Sequence, residues 1–347
     1  MTENSSAANK RRTAFDVLNI IACLGVIALH HNNLVHSYVR DSIGWIQSLV
    51  VECVCYCSVP VFMMLSGANL LGYLDRYSTG EFFKKRFIRT VIPWLCWSVI
   101  FLFWKIAAGD IKDESLTVLE KIQLITTYKV ESVYWFFGEL FACYLAMPVL
   151  SALRNQRRML MYFAGINFIF LSVYPYVQNW LGLAWSIQVP IVGSLIIFVV
   201  LGYLLSTTQF SKRDRMILYA AGAICLLFRF FYTLYFSRLS GKTDVSIKAY
   251  VSFHSVFYAC AFFALMLNIP WDSILPSWLK KRLPAISDCS FGIFLIHRMV
   301  MKYESAALGI GKGDWAWRIL CIPLTYFVCL LLTAGIKRIP VLRRLMG

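Results

Sequence analysis

The sequence has few charged residues for its length. Asp, Glu, Lys and Arg together make up 15% of the 347 residues, whereas hydrophobic residues make up 59%. A soluble globular protein is about 25% charged and about 45–50% apolar. The shortage of charge therefore excludes an intrinsically disordered chain and an ordinary cytosolic enzyme, and it indicates a protein that crosses a membrane several times.

The motifs of several large enzyme classes are also missing. The sequence has no glycine-rich phosphate loop, no His-Glu-x-x-His pair and no nucleophile elbow. The eleven cysteines lie almost entirely within apolar stretches. Cys53, Cys55 and Cys57 would point in different directions on a helix, so we interpret them as packing residues. We expect no metal site and no bound cofactor.

Ten apolar runs are long enough to cross a bilayer, which takes about 20 mainly apolar residues per helix. Lys10, Arg11 and Arg12 precede the first run, but that run lacks a small-residue cleavage site, so we interpret it as an uncleaved helix. The sequence thus predicts an all-α fold, a polytopic membrane helix bundle with about ten transmembrane helices. The predicted spans are residues 14–34, 46–72, 87–107, 133–153, 159–177, 186–206, 215–236, 249–268, 286–304 and 316–336.

The distribution of basic residues predicts the orientation of these spans. Lys and Arg outnumber Asp and Glu by 34 to 18. The segments on the side of the N-terminus carry 21 of the basic residues and the opposite segments carry 11. Cytoplasmic loops are enriched in Lys and Arg, so we expect both termini in the cytoplasm, with tails at residues 1–13 and 337–347 around a membrane domain at 14–336. The positive charge then reflects topology, and we expect no nucleic-acid partner.

Six of the ionisable residues within the predicted spans form one candidate layer near the outer ends of their helices. By the helical rise of about 1.5 Å per residue, they lie roughly 6–10 Å below the outer ends of their helices. Such groups are costly in a bilayer and are candidates for function. They could form separate structural pairs, such as Glu139 with Arg229, or line one polar cavity suited to proton transfer. The six residues are His30, Glu52, Glu139, Arg229, His254 and His297.

A basic segment begins the third predicted span at its cytoplasmic end. Arg86 and Arg89 are three residues apart and therefore share a helical face, with Lys85 close by. These charges could serve membrane topology alone. They could also bind the phosphates of a cytosolic substrate, because the guanidinium fork matches phosphate oxygens.

The order of several motifs resembles the integral-membrane acyltransferase family 3, along essentially the whole chain. The matching stretches are Phe15 through Leu18 leading to His30, Val59 through Gly67, Phe82 through Arg89 leading to Ile92 and Pro93, Trp135 and Phe136 with Tyr144 and Pro148, and Ser290 through His297. The resemblance implies a ten-helix enzyme of the cell (plasma) membrane. It would move an acyl group, which we expect to be acetyl, from cytosolic acyl-CoA to a hydroxyl of an extracytoplasmic or lipid-linked carbohydrate.

The resemblance also implies roles for individual residues. His30 matches the family's essential first-helix histidine, whereas His31 points about 100° away and is the weaker candidate. Arg86 and Arg89 match an Arg-x-x-Arg pair. From its position beside them, and not from the resemblance, we expect Lys85 to assist in donor binding. Asn19 stands where the family typically has an arginine, so another cation would have to substitute or the donor would be held differently.

The expected mechanism has His30 as a general base or as a relay for the acyl group. Glu52 or Glu139 would orient its imidazole, and Arg229 or His297 would stabilise the oxyanion. Besides membrane lipid and acyl-CoA, the partners would include proteins of polysaccharide assembly. Two rival hypotheses stay open at this point: a transporter or flippase that exports a glycan or lipid-linked precursor, and an inactive membrane scaffold.

Overall fold

The described residues, which are 2–112, 116–183, 189–193 and 195–347 of a computed structural model, fold mainly as helices joined by turns. These residues contain no β-strand. The first α-helices are α1 Thr2–His31, α2 Ile43–Cys55, α3 Ser58–Leu70, α4 Thr79–Arg86, α5 Ile92–Ala107, α6 Val118–Thr126, α7 Trp135–Ala152, α8 Arg157–Asn167 and α9 Tyr174–Leu181. They are followed by α10 Ile196–Thr207, α11 Lys212–Ser240, α12 Phe253–Asn268, α13 Trp271–Ile274, α14 Ser277–Ser287, α15 Ser290–Leu308, α16 Trp315–Ile319 and α17 Cys321–Lys337.

Within the described ranges, six helical segments are long and apolar enough to cross a membrane, or seven if the bent pair α14 and α15 counts as one span. The six are Thr13–His31, Ile43–Asp75, Thr79–Ala107, Ser132–Ala152, Arg157–Leu181 and Lys212–Ser240. Three shorter apolar helices, α10, α12 and α17, coincide with predicted spans. The all-helical prediction is confirmed, whereas the count of ten and the cytoplasmic termini stay predictions.

Prolines account for two places where predicted spans change helix type. A π-helical turn at Phe87–Val91 precedes Pro93, and another at Phe168–Val173 precedes Pro175. Proline has no N–H to donate to the carbonyl four residues earlier. A wider turn lets a different N–H reach the displaced carbonyls, so the chain continues as helix through each proline.

Two predicted spans differ from the structure at their ends. For the sixth, predicted over 186–206, residues 189–193 are not helical and α10 begins at Ile196, while 184–188 and 194 lie outside the described residues. Pro190 and Gly193 both disfavour a helix there. The ninth, predicted over 286–304, includes the last two residues of α14, which a bend of 71° between Ser287 and Ser290 separates from α15.

Close helix packing holds α3 against α10 at the centre of the bundle. A Cβ added to Gly67 would lie 1.8 Å from the carbonyl oxygen of Val199, and one added to Gly202 would lie 2.1 Å from that of Met64. Only glycine lets the two backbones approach this closely, as small residues do at helix contacts in membranes. One continuous apolar core surrounds this contact and includes residues of α1, α7 and α15.

Candidate active site

A first open cavity, of about 790 Å³, enters the bundle beside the C-terminal end of α1. We call it the histidine cavity because His30 lines it. Its walls come from α5, α7, α15, α16 and the connection between α5 and α7, and they are rich in aromatic side chains: Trp104, Tyr128, Trp135 and Trp317. Its volume is within the range of small-molecule sites, about 300–1,000 Å³.

His30 lies next to a second imidazole from another helix. The ring centroids of His30 and His297 are 5.3 Å apart. His297 is fully buried, and its Nδ1 lies 2.7 Å from the carbonyl oxygen of Phe294. A carbonyl only accepts, so we assign the proton to Nδ1, which leaves Nε2 as an acceptor in the neutral ring. Nε2 is buried and has no hydrogen-bond partner among the described residues.

The neighbouring histidine points away from this cavity, as the sequence predicts. His31 is fully buried and does not line the cavity. Its Nε2 hydrogen-bonds the hydroxyl of Thr325 at 2.8 Å, and its ring packs 4.3 Å from that of Trp317. His31 therefore holds α1 against α17 and α16.

The carboxylates of the histidine cavity are already paired with cations. Glu131 lies 2.9 Å from Lys105 and 3.5 Å from Arg298, and it accepts a hydrogen bond from the backbone N–H of Ser132. Burial raises the pKa of Glu131, but the hydrogen bond and charge of Lys105, with help from Arg298, lower it further than burial raises it. Asp110 pairs with Lys302 in the same way. Neither carboxylate pairs with His30 within the described part of the chain.

The other predicted residues of the polar layer form a separate group. Glu52 lies 2.9 Å from Lys248 and 3.5 Å from Arg229, whose guanidinium lies 3.7 Å from the ring centre of Tyr56. His254 borders a small void with Arg229 and lies 3.1 Å from the carbonyl oxygen of Ile247. The expectation that Glu52 orients His30 and that Arg229 faces the oxyanion is therefore not met. Helical depth, the sole basis of that expectation, does not say which way a side chain points.

Glu139 is also outside the histidine cavity. It lies on α7, one turn beyond Trp135, and is partly exposed. No ion pair between Glu139 and Arg229 forms among the described residues, because Arg229 contacts Glu52 instead. The proposed orienting role of Glu139 thus has no contact to support it.

A second open cavity, of about 1,260 Å³, enters between α1, α7, α15 and the turn that carries Arg89. We call it the arginine cavity, because Arg86 and Arg89 both line it together with further cations from residues 337–347. Lys85 does not line it: this side chain pairs with Glu81 at 2.8 Å and lies 3.9 Å from the ring centre of Tyr77. The two arginines thus share the cavity as their spacing predicts, without Lys85.

A thin aromatic wall separates the two cavities. Trp135 lines the histidine cavity, while the next residue, Phe136, lines the arginine cavity. Phe294 also lines the arginine cavity, and its ring lies 5.3 Å from that of Phe136 and 5.7 Å from that of His297. The histidine pair, His30 and His297, is therefore next to the innermost apolar end of the arginine cavity.

A family model described as an acyltransferase domain, that of acyltransferase family 3, matches residues 12–334. The chain belongs to acyltransferase family 3. It is thus a membrane acyltransferase that transfers groups other than aminoacyl groups, and this favours the enzyme over the transporter and scaffold hypotheses. Comparisons with curated proteins and with solved structures found no significant match.

Part of the histidine cavity of this acyltransferase is lined by residues that the sequence did not indicate as candidates. Residues 127–129, 131 and 132 of the connection between α5 and α7 line the cavity, as do Arg298 and Lys302 of α15. The sequence does carry a signal for this connection, because the carboxylate of Glu131 comes directly before the apolar run of α7.

Asn19 has a structural contact where the family typically carries an arginine. Its side-chain amide donates to the carbonyl oxygen of Ser287 at 2.9 Å and lies 3.0 Å from the Ser287 hydroxyl. Ser287 is the last residue before the 71° bend, so Asn19 joins α1 to that bend. Asn19 also lines the arginine cavity, where it contributes no charge.

Proposed function

We propose that this enzyme moves an acetyl group from acyl-CoA to a hydroxyl of an extracytoplasmic or lipid-linked carbohydrate, at the cell membrane. The observation that carries the proposal is the position of His30, at a cavity lined by four aromatic rings and one thin wall away from a cavity lined by arginines. With the predicted topology, the histidine cavity faces outward and the arginine cavity faces the cytosol.

The two cavities fit the two substrates by their chemistry. Arginine forks suit the phosphates of CoA, and Phe136 and Phe294 offer an apolar path for its uncharged arm. Flat aromatic faces with paired polar groups between them suit a sugar ring, which has apolar C–H faces and hydroxyl edges. A separate protein of polysaccharide assembly would deliver the carbohydrate to the outer cavity.

A single histidine can carry out both proton transfers of the chemical step. The acceptor hydroxyl oxygen attacks the carbonyl carbon of the thioester while His30 takes the hydroxyl proton. The carbon–sulfur bond then breaks, CoA leaves as the thiolate, and His30 returns the proton to its sulfur. No metal or bound cofactor enters this scheme.

Two neighbours of His30, His297 and Arg298, have separate roles in the reaction. The unpartnered Nε2 of His297 can accept the N–H of His30, which leaves the other nitrogen of His30 free to act as the base. In that tautomer His297 has no N–H left for an oxyanion, since its Nδ1 donates to Phe294. We therefore assign oxyanion stabilisation to Arg298, which lines the histidine cavity, in place of Arg229.

The donor half of the proposal is tested with purified protein in lipid nanodiscs and radiolabelled acetyl-CoA. Arg86→Ala and Arg89→Ala should each raise the KM for acetyl-CoA, by about tenfold for the loss of one charged hydrogen bond. Lys85→Ala is the matched control, since it removes an adjacent charge outside the cavity, and its KM should stay within about twofold of wild type. Equal KM values for all three variants would leave the arginines a topological role alone.

The acceptor half is tested on cells with and without the gene. Mass analysis of their surface and lipid-linked glycans should show an acyl group lost from one carbohydrate in the deletion strain. Complementation with wild-type protein should restore that group, and complementation with His30→Ala should not. Unchanged glycans in the deletion strain would contradict a carbohydrate acceptor.

A further inference from the structure

The segment 338–347 folds back over the arginine cavity and is anchored there. The indole Nε1 of Trp97 donates to the carbonyl oxygen of Leu345 at 3.0 Å, and Met346 is fully buried. A Cβ on Gly347 would lie 2.5 Å from the ring of Phe291 and 3.1 Å from the carbonyl oxygen of Arg89. The segment is thus packed against α5, α15 and the turn that carries Arg89.

This anchored segment adds positive charge to a cavity that is already basic. The cations that line the arginine cavity are Arg86, Arg89, Lys337, Arg338, Arg343 and Arg344, and the lining carboxylates are Asp16 and Asp288. Among the described residues, no ion pair neutralises the arginines of this set. The net charge of the lining is therefore strongly positive, and it favours a ligand that carries several negative charges.

A buried donor within the same cavity also has no partner. The Nε of Arg86 is buried and makes no hydrogen bond in the described part of the protein. A buried, unsatisfied charged donor costs free energy, so its presence indicates a ligand that the site is built to receive. Its guanidinium lies 5.9 Å from the ring centres of both Phe82 and Tyr144, which hold it at the cavity wall.

Charge and apolar surface are segregated along the cavity. Arg338, Arg343 and Arg344 are exposed at its mouth, whereas Phe136 and Phe294 are buried at its inner end. A matching ligand would be polyanionic at one end and uncharged at the other. Acyl-CoA has this form, with a pyrophosphate and a 3′-phosphate at the nucleotide end and the thioester at the end of a long uncharged arm.

We infer that segment 338–347 is part of the donor site, and that Arg343 and Arg344 bind phosphates at the nucleotide end of acyl-CoA. The inference rests on the proposed function, because it takes acyl-CoA as the donor. It assigns a binding role to residues that the predicted topology explains only as a basic cytoplasmic tail. The segment then forms a fixed, positively charged edge at the mouth of the donor cavity.

The test measures binding of free CoA and of 3′-dephospho-CoA by calorimetry, with full-length protein in nanodiscs. The double variant Arg343→Ala/Arg344→Ala should bind CoA about tenfold or more weakly than wild type, since two charged hydrogen bonds are lost. The control Lys281→Ala/Arg282→Ala removes two exposed basic residues that do not line the cavity and should stay within about twofold. The difference between the variants should shrink at high salt.

A charge-conserving variant separates binding from folding. Arg343→Lys/Arg344→Lys keeps both charges and should bind CoA more tightly than the alanine double variant, at an equal thermal unfolding midpoint. Equal CoA affinity in wild type and the alanine double variant would overturn the inference while leaving the proposed function intact. Equal weakening by the Lys281/Arg282 control would also overturn it. If wild type binds neither compound, the proposed donor itself fails, and the inference fails with it.

Discussion

The histidine pair and the Glu52 group are two clusters of ionisable residues within the same bundle, and they differ in what surrounds them. We define the Glu52 group as Glu52, Arg229, Lys248, His254 and His36. His30 lines a cavity of about 790 Å³, whereas the Glu52 group borders two voids of about 10 Å³ each, with room for one water at most. Substrate can reach one cluster and not the other.

The two clusters also differ in the partners of their side chains. In the Glu52 group, the carboxylate has two cations within 3.5 Å, and Arg229 also stacks on Tyr56. In the histidine pair, Nε2 of His297 has no partner and His30 has no carboxylate beside it within the described residues. Paired opposite charges rigidify a fold, while an imidazole without a carboxylate partner beside a cavity is available for chemistry. We therefore propose a structural role for the Glu52 group and a catalytic role for the histidine pair, although both lie at similar helical depth.

The largest effect should come from His30→Ala, which removes one imidazole of the histidine pair. If His30 is the general base, turnover per folded molecule should fall by about 10²–10⁴-fold. The unfolding midpoint should change little, because the side chain borders an open cavity and its loss leaves no dry void. The measurement is acetyl transfer in nanodiscs, normalised to the folded fraction from size-exclusion chromatography.

His31→Ala is the matched control for that experiment and should show the opposite pattern. His31 is fully buried and bonded to Thr325, so its loss should lower stability by about 1–3 kcal/mol. The activity of the protein that does fold should stay close to wild type. Retention of more than about a tenth of wild-type activity in His30→Ala would place the base elsewhere.

The second largest effect should come from Glu52→Ala, which removes the carboxylate of the Glu52 group. Removal of this carboxylate leaves Arg229 buried without its anion, and breaking such a buried pair costs about 3–5 kcal/mol. Specific activity should be retained, because Glu52 does not line the histidine cavity. Denaturation in detergent measures the stability, and transfer per folded molecule measures the activity.

Glu81→Ala provides the comparison for Glu52→Ala. Glu81 pairs with Lys85 at 2.8 Å, but both side chains are exposed, so this loss should cost less than about 1 kcal/mol. A Glu52→Ala protein of normal stability that lacks activity would reverse our division of the two clusters.

The sequence predicted which residues belong to spans more accurately than it predicted their neighbours. Hydropathy located α1, α7 and α11, and helical spacing put Arg86 and Arg89 at one cavity. Depth along a helix could not separate Glu52 from His30, because it ignores the direction in which each side chain projects. The 71° bend and the folded-back segment 338–347 depend on tertiary contacts such as Asn19 with Ser287 and Trp97 with Leu345, which leave no periodic pattern.

The smallest effect should be a difference in pH dependence that involves His36, the exposed edge of the Glu52 group. Burial and the charge of Lys248, whose Nζ lies 3.5 Å from Nδ1, lower the pKa of His36 below its usual value of about 6.5. A histidine with a lowered folded-state pKa binds its proton more readily when unfolded. Its contribution to stability is therefore complete above about pH 6.5 and declines as the pH falls below that value.

His36→Gln should remove part of this pH dependence, because glutamine does not titrate. We expect the unfolding midpoint of wild type to fall between pH 7.5 and pH 5.5 and that of the variant to fall less. The effect should be modest, since His36 is exposed. The decline should not alter turnover per folded molecule through the histidine cavity, which His36 does not line. If the unfolding midpoint of His36→Gln fell as much as that of wild type or more, the prediction would be wrong. The charge on His36 would then have no effect on the pair of Lys248 and Glu52.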